Sequence, residues 1–187
     1  MKLPLAGFFW PVAALCLCSC NASDRNYFPI TKASVWKYAV QGDFDTFPDT
    51  VIVTGRVPVS DVEGFELAGA MGVSRLGWRG GNLVASELGG QRFDPPITIL
   101  SQSPVSWAGT WETAGKPRQA KADLTTSTTQ TTVAGKKTKA LESVLTFHAG
   151  GKTTTLTTVF VQGIGIFSQE QRSGDRRERR IDYLSGP

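Results

Sequence analysis

The strongest constraint on the fold is an alternation of apolar and polar side chains that recurs along most of the chain. In residues 34–40, for example, Trp36, Tyr38 and Val40 fall on one side and Val35, Lys37 and Ala39 on the other. A period of two with many β-branched and aromatic residues predicts half-buried β-strands. No stretch of ten or more residues combines helical periodicity with capping residues, so we expect only minor helix.

Glycine pairs and a proline pair divide this pattern into segments. The pairs at 80–81, 89–90 and 150–151 predict turns, and the prolines at 95–96 interrupt pairing. Strands are expected at 34–40, 50–59, 65–76, 82–88, 97–100, 118–133, 139–149, 152–162, 163–171 and 178–184, with a loop over 101–116. We therefore predict an all-β fold, either a strongly curved antiparallel sheet or a half-open β-barrel.

Two threonine-rich segments allow a different interpretation. Residues 125–132 and 153–158 could form a stalk of low complexity. Both segments lack proline and are flanked or interrupted by apolar residues, and threonine suits a half-buried pleated surface. This composition favours solvent-facing strand positions.

The first twenty residues predict export from the cytoplasm. Lys2 is followed by an almost wholly apolar run over 3–17, which is too short for a comfortable membrane span and contains two prolines. The run ends in Leu17-Cys18-Ser19-Cys20, which resembles the lipobox of bacterial lipoproteins. That resemblance implies a signal peptide at 1–19, a lipid on Cys20, a tether over 20–26 and one β domain over 27–187. An ordinary secretory signal is the alternative.

The location within the envelope follows from the residue after the cysteine. Asn21 stands where an aspartate commonly retains lipoproteins in the inner membrane, so the resemblance implies an outer-membrane protein that faces the periplasm. Cys16 and Cys18 leave with the signal and Cys20 carries lipid, so no disulfide is expected. The stability of a single domain of this size must then come from its core.

Two short motifs resemble an uncharacterised group of bacterial lipoproteins. The group opens with Tyr-Phe-Pro-Leu and a Trp-x-Tyr strand, and it closes with an aromatic strand that runs into Gly-Val-Gly. Here the opening is Tyr27-Phe28-Pro29-Ile30 with Trp36-Lys37-Tyr38, and the closing strand runs from Val159 to Ile166. The resemblance implies a half-open barrel like that of the lipoprotein carriers, with an apolar concavity. It implies no catalytic residues.

Composition and motifs favour a protein without catalytic, metal or nucleotide sites. Gly150-Gly151-Lys152-Thr153 lacks the first glycine of a phosphate loop and precedes a strand pattern. The carboxylates Asp43, Asp45 and Asp49 lack the glycine and glutamate of a calcium loop. His148 is the single histidine and has no motif-level nucleophile beside it. The formal charge of +4 is too small to predict nucleic-acid binding.

The densest charge run lies near the C-terminus and has two interpretations. Its arginines could meet an anionic lipid or an acidic partner, or they could form a solvated edge strand that discourages aggregation. Two acidic neighbours dilute their field, which favours the second interpretation. The residues are Arg172, Arg176, Arg177, Arg179 and Arg180, with Asp175 and Glu178 between them.

Tryptophans supply the apolar surface that a ligand would need. Trp36 is expected in the core, whereas Trp78, Trp107 and Trp111 are candidate ligand-binding residues on the concave face. The sequence therefore predicts a non-enzymatic, lipid-anchored envelope protein that needs no cofactor and holds an apolar ligand or a protein partner in its concave face. The alternative is an assembly lipoprotein that docks on an outer-membrane complex, and a carboxylate hydrolase is the least favoured.

Overall fold

The computed structural model describes residues 24–42 and 45–186, which form one 3₁₀ turn and twelve antiparallel strands. The turn covers Asp24–Tyr27. The strands are β1 Val35–Gln41, β2 Thr46–Val59, β3 Val62–Gly69, β4 Gly72–Arg79, β5 Asn82–Leu88, β6 Gln91–Leu100, β7 Val105–Thr113, β8 Lys116–Val133, β9 Lys136–Ala149, β10 Lys152–Val161, β11 Gly165–Ser173 and β12 Arg176–Ser185. None of the described residues belongs to a helix long and apolar enough to cross a membrane.

Each strand pairs with the next, and the last strand returns to the first. The β1–β12 ladder joins Tyr38 to Tyr183 and Val40 to Ile181. This ladder closes the sheet into a barrel. The all-β prediction is confirmed, whereas the prediction of a half-open barrel is wrong. Closure pairs the backbone groups that an open sheet would leave free along two edges. The arginine-rich strand β12 is therefore not an edge strand.

The number of strands differs from the sequence prediction in two segments. The expected strand over 65–76 is two strands, β3 and β4, joined by a tight turn at Ala70–Met71. The expected loop over 101–116 contains β7, which carries both Trp107 and Trp111. Gly69 and Gly72 flank the first turn, but glycines within an alternating segment also indicate a bulge or bend in one strand, and the second segment mixes apolar and small residues. The threonine-rich segments lie in β8 and β10, as predicted.

The two ends of the barrel differ in how they are closed. Because strands alternate in direction, the turns after β1, β3, β5, β7, β9 and β11 lie together at one end, which we call the mouth. Residues 24–34 lie at the opposite end, which we call the floor, because they lead into the start of β1. The backbone N–H of Gly163 donates to the carbonyl of Asn26 at 2.7 Å and ties the N-terminal segment to the β10–β11 turn. The described part of the chain therefore begins at the floor, away from the mouth.

Aromatic residues fill the floor. Phe28 stacks on Trp36 with ring centroids 5.5 Å apart and meets the edge of Phe160 at 6.3 Å. Trp36 is fully buried, and its Nε1 donates to the carbonyl of Ile164 at 2.7 Å. Gly165 has a φ of 99°, and a Cβ there would lie 2.6 Å from Phe28. The opening and closing sequence motifs thus pack together as one plug.

Candidate functional site: a cavity in the barrel lumen

The lumen contains a cavity of about 470 Å³ that opens at the mouth. All twelve strands contribute side chains to its wall, and Phe28 and Trp36 of the floor lie at its base. The lower wall is apolar and includes Leu67, Leu76, Leu145, Leu156, Ile166 and Ile181. A volume of this size lies within the range of about 300–1,000 Å³ that is usual for small-molecule sites.

Aromatic rings from three strands form one side of this cavity. Phe147 of β9 contacts the edges of Phe93 and Trp111, with ring centroids 6.1 Å and 5.1 Å away. All three rings line the cavity. The Trp111 Nε1 donates to Gln91 Oε1 at 3.0 Å, so the polar edge of this indole is satisfied and its ring orientation is held. We call Phe93, Trp111 and Phe147 the aromatic wall.

A small residue on β8 lets this cluster form. Ala122 is buried and is the register partner of Trp107 on β7 and of Phe147 on β9. Because its methyl group is short, the two flanking rings stack above it with centroids 5.9 Å apart. Trp107 thereby packs against Phe147 of the aromatic wall. Its Nε1 donates to the Pro95 carbonyl at 2.8 Å.

The three candidate tryptophans differ in position. Only Trp111 lies on the cavity wall. Trp107 is 9% exposed and packs behind the wall, and Trp78 is a half-buried residue of β4 that packs against the core. Alternation along the sequence identifies a strand face, but it does not give the height of a residue along the barrel, so it could not separate these three.

Polar groups lie nearer the mouth. The Asp49 carboxylate is buried, and its Oδ1 accepts a hydrogen bond of 2.8 Å from the backbone N–H of Ala70. Asp49 is the register partner of Tyr38 on the neighbouring strand, and both residues line the cavity. Burial raises the pKa of the Tyr38 phenol above its ordinary value, and the nearby Tyr183 and Asp49 raise it further. Tyr38 is therefore a neutral phenol in the cavity at neutral pH.

Three cationic side chains line the cavity at the mouth, and we call them the basic rim. Arg118, Lys152 and Arg179 lie within four residues of the mouth-end start of β8, β10 and β12 respectively. Of the predicted arginine run, Arg179 alone lines the cavity. Arg180 binds Asp182 with Nε–Oδ2 at 2.9 Å, and Arg172 binds Glu170 at 3.0 Å.

The glycine-rich motif and the histidine singled out in the sequence lie in a turn and on the outer face of the barrel. Gly150 and Gly151 form the β9–β10 turn with φ values of 57° and 75°, so this segment is a hairpin, as expected. His148 is exposed on β9, with Nδ1 3.1 Å from Thr153 Oγ1. Over residues 24–42 and 45–186, no three histidine, cysteine or acidic residues group as metal ligands would. The signal peptide at 1–19, Cys20 and part of the tether lie outside the described residues, as does Asp43.

Comparison with known proteins gives the fold. The sequence matches no family model and no curated protein. A candidate lipoprotein from Parabacteroides distasonis superposes with a TM-score of 0.53 at 9% identity, over 86% of this chain and 98% of that one. A candidate exported protein from Bacteroides fragilis, described as YmcC-like in fold, gives 0.50 at 10% identity over the same shares. The barrel has their fold. At such low identity the likeness extends to the fold alone.

Sequence reasoning missed Arg118 and Lys152 as residues of the site. Both were visible as cations at strand ends next to predicted turns, but which turns share one end follows only from the number and order of strands. Two strands are missing from the prediction before β8, one within 65–76 and β7, and their effects on strand direction cancel, so the predicted order already places both residues at the same end. The prediction lacked the closed lumen that these two side chains line.

Proposed function

We propose that the protein is a lipid-anchored envelope lipoprotein that binds an apolar ligand in the barrel lumen and carries out no catalysis. The observation that carries the proposal is the cavity of about 470 Å³ with an apolar lower wall and the aromatic wall on one side. Burying apolar ligand surface there contributes roughly 25 cal/mol per Å². Aromatic faces add contact area on a rigid framework.

The position of the N-terminal segment at the floor supports the proposal that the protein is anchored through Cys20. The chain begins its described part at the floor, with Asp24 only four residues after Cys20. Four residues of extended chain span at most about 14 Å. A lipid on Cys20 would therefore hold the floor close to the membrane. The cavity would open on the opposite side, toward the aqueous compartment, which we take to be the periplasm at the outer membrane.

The positions of His148 and Asp49 support the proposal that the protein carries out no catalysis. His148 is on the outside of β9, so it cannot reach a ligand in the lumen. The buried carboxylate Asp49 accepts a bond from a backbone N–H, which is a structural use of that group.

Native mass spectrometry tests the proposal. The Cys20→Ser protein, purified without detergent and then with added lipid extract, should retain one small apolar molecule per chain. The variant Thr154→Trp places a large ring in the lumen, where Thr154 lines the cavity, and should lose the bound mass. Thr155→Trp on the same strand, which points to the other face, is the matched control and should retain it. No bound mass under any condition would refute the proposal.

A second candidate function, assembly with a protein complex of the outer membrane, rests on a different surface. Val35 and Ile52 are register partners on the outside of β1 and β2 and are 38% and 43% exposed, and Leu184 on β12 is 58% exposed. Exposed apolar side chains grouped on one wall favour a contact with a partner. Crosslinking from residue 52 in the envelope discriminates the two functions, because assembly requires one stoichiometric protein partner whereas ligand carriage does not.

A further inference from the structure

The basic rim places three cations at the opening of an otherwise apolar cavity. Arg118 lies on β8, Lys152 on β10 and Arg179 on β12, so they occupy alternate strands on one side of the barrel. The three side chains make no ion pair and no hydrogen bond with any described residue. Arg172 and Arg180 at the same end of the barrel differ, since both contact Glu170. No ion pair with a described residue therefore neutralises the charges of the basic rim.

The carboxylates at the mouth do not cancel this charge. Asp49 lies on β2, which is diametrically opposite β8 in the twelve-strand order, and it is bound to the Ala70 backbone. Glu178 lines the cavity beside Arg179 on β12, and it keeps its negative charge while its Oε2 accepts from Gln171 Nε2 at 2.5 Å. Over β8 to β12 the cavity lining thus carries three cations and one carboxylate, and the buried Asp49 is across the opening.

We propose that the cavity takes a single-chain anionic amphiphile, with its hydrocarbon tail in the lumen and its carboxylate or phosphate head at the basic rim. This inference rests on the proposed binding function and names its ligand class. The tail would contact the aromatic wall and the apolar lower wall, which reach down to Phe28. The head group would stay at the mouth, where it keeps part of its hydration and gains three cationic neighbours.

Calorimetric titration of the Cys20→Ser protein with four twelve-carbon probes tests the head-group preference. The probes are laurate, dodecyl phosphate, dodecanol and dodecyltrimethylammonium, each below its aggregation concentration. The two anions should bind about tenfold more tightly than dodecanol at low salt, and the cation should bind most weakly. Whichever anion binds more tightly identifies the head group as carboxylate or phosphate. Inorganic phosphate alone should show no measurable binding.

The variant Arg118→Gln/Lys152→Gln/Arg179→Gln tests the basic rim itself. It should lower the affinity for the two anions about tenfold and leave the affinity for dodecanol unchanged. All three residues are exposed, so folding should be retained. The matched control is Arg177→Gln, an exposed residue of β12 that does not line the cavity, and it should change neither affinity.

The titrations distinguish a failure of the anionic-ligand inference from a failure of the proposed binding function. If dodecanol and the anions bind with equal affinity, or if the triple variant binds anions as well as the parent protein does, the anionic-ligand inference is overturned while the binding function stands. If none of the four probes binds, the proposed function fails together with the inference.

Discussion

The Trp36 indole donates a hydrogen bond of 2.7 Å to the Ile164 carbonyl, which joins the first strand of the barrel to a turn 128 residues later. The same ring stacks on Phe28, so one side chain connects the N-terminal segment, β1 and the β10–β11 turn. Trp36 is fully buried, and the contact is therefore shielded from water. This arrangement closes the floor and leaves the mouth as the route into the lumen.

Replacement of this donor should destabilise the barrel. Trp36→Phe keeps an aromatic ring but leaves the Ile164 carbonyl without its partner, so we expect a loss of about 1–3 kcal/mol in the free energy of unfolding. Urea denaturation measures it. Trp111→Phe is a control at a partly exposed indole and should cost less, since water can replace its bond to Gln91. Equal losses in the two variants would contradict the role given to Trp36.

A close backbone approach at Gly109 should also be sensitive to one added methyl group. A Cβ at this position would lie 2.4 Å from the Asp94 carbonyl oxygen and 2.7 Å from the Trp107 ring. Gly109→Ala should therefore lower the free energy of unfolding by about 1–3 kcal/mol through overpacking. Gly55→Ala is the matched control, because nothing lies within 4 Å of a Cβ there. A neutral result at position 109 would mean that β6 and β7 are farther apart than described.

Stability should fall at high pH because of Tyr38. Burial raises the pKa of its phenol in the folded state above the ordinary value of about 10. Above pH 10 the unfolded chain releases this proton and the folded barrel keeps it, so the unfolded state binds fewer protons and stability decreases as pH rises. The contribution of Tyr38 is fully present below pH 10.

Urea denaturation at several pH values between 9 and 11 measures this dependence. Tyr38→Phe should show a shallower decrease than the parent protein does. Tyr183→Phe should have the same sign with a smaller effect, because burial also raises the pKa of Tyr183 but that ring is more exposed. A parent protein with constant stability over this range would contradict the burial of the phenol.

Lipidation at Cys20 gives a prediction outside the described residues. Cys20→Ser should abolish labelling by a fatty-acid analogue. Cys18→Ser removes a cysteine two residues away and places a small residue in the lipobox, so labelling should persist. Labelled Cys20→Ser protein would show that the acyl group is attached elsewhere.

The sequence predicted the all-β class of the fold, but it did not predict that the sheet closes into a barrel. Alternation identified strands because each one has a buried and a solvent-facing side, and Trp36, Tyr38 and Val40, which it placed on one side, all line the cavity. Closure depends on the register of β1 against β12, where two aromatic residues, Tyr38 and Tyr183, are partners across the whole length of the chain. No local pattern contains that information. The position of Trp111 on the cavity wall is likewise a property of the closed barrel.

The location of a bound amphiphile tests the central claim most directly. The measurement is a set of nuclear Overhauser contacts between the terminal methyl group of laurate and the side chains of the Cys20→Ser protein. Binding in the lumen predicts contacts from that methyl group to Leu145, Leu156 and Ile166 of the lower wall, which line the cavity. Contacts to Val35 and Ile52 on the outer wall, or no contacts at saturating laurate, would contradict the account.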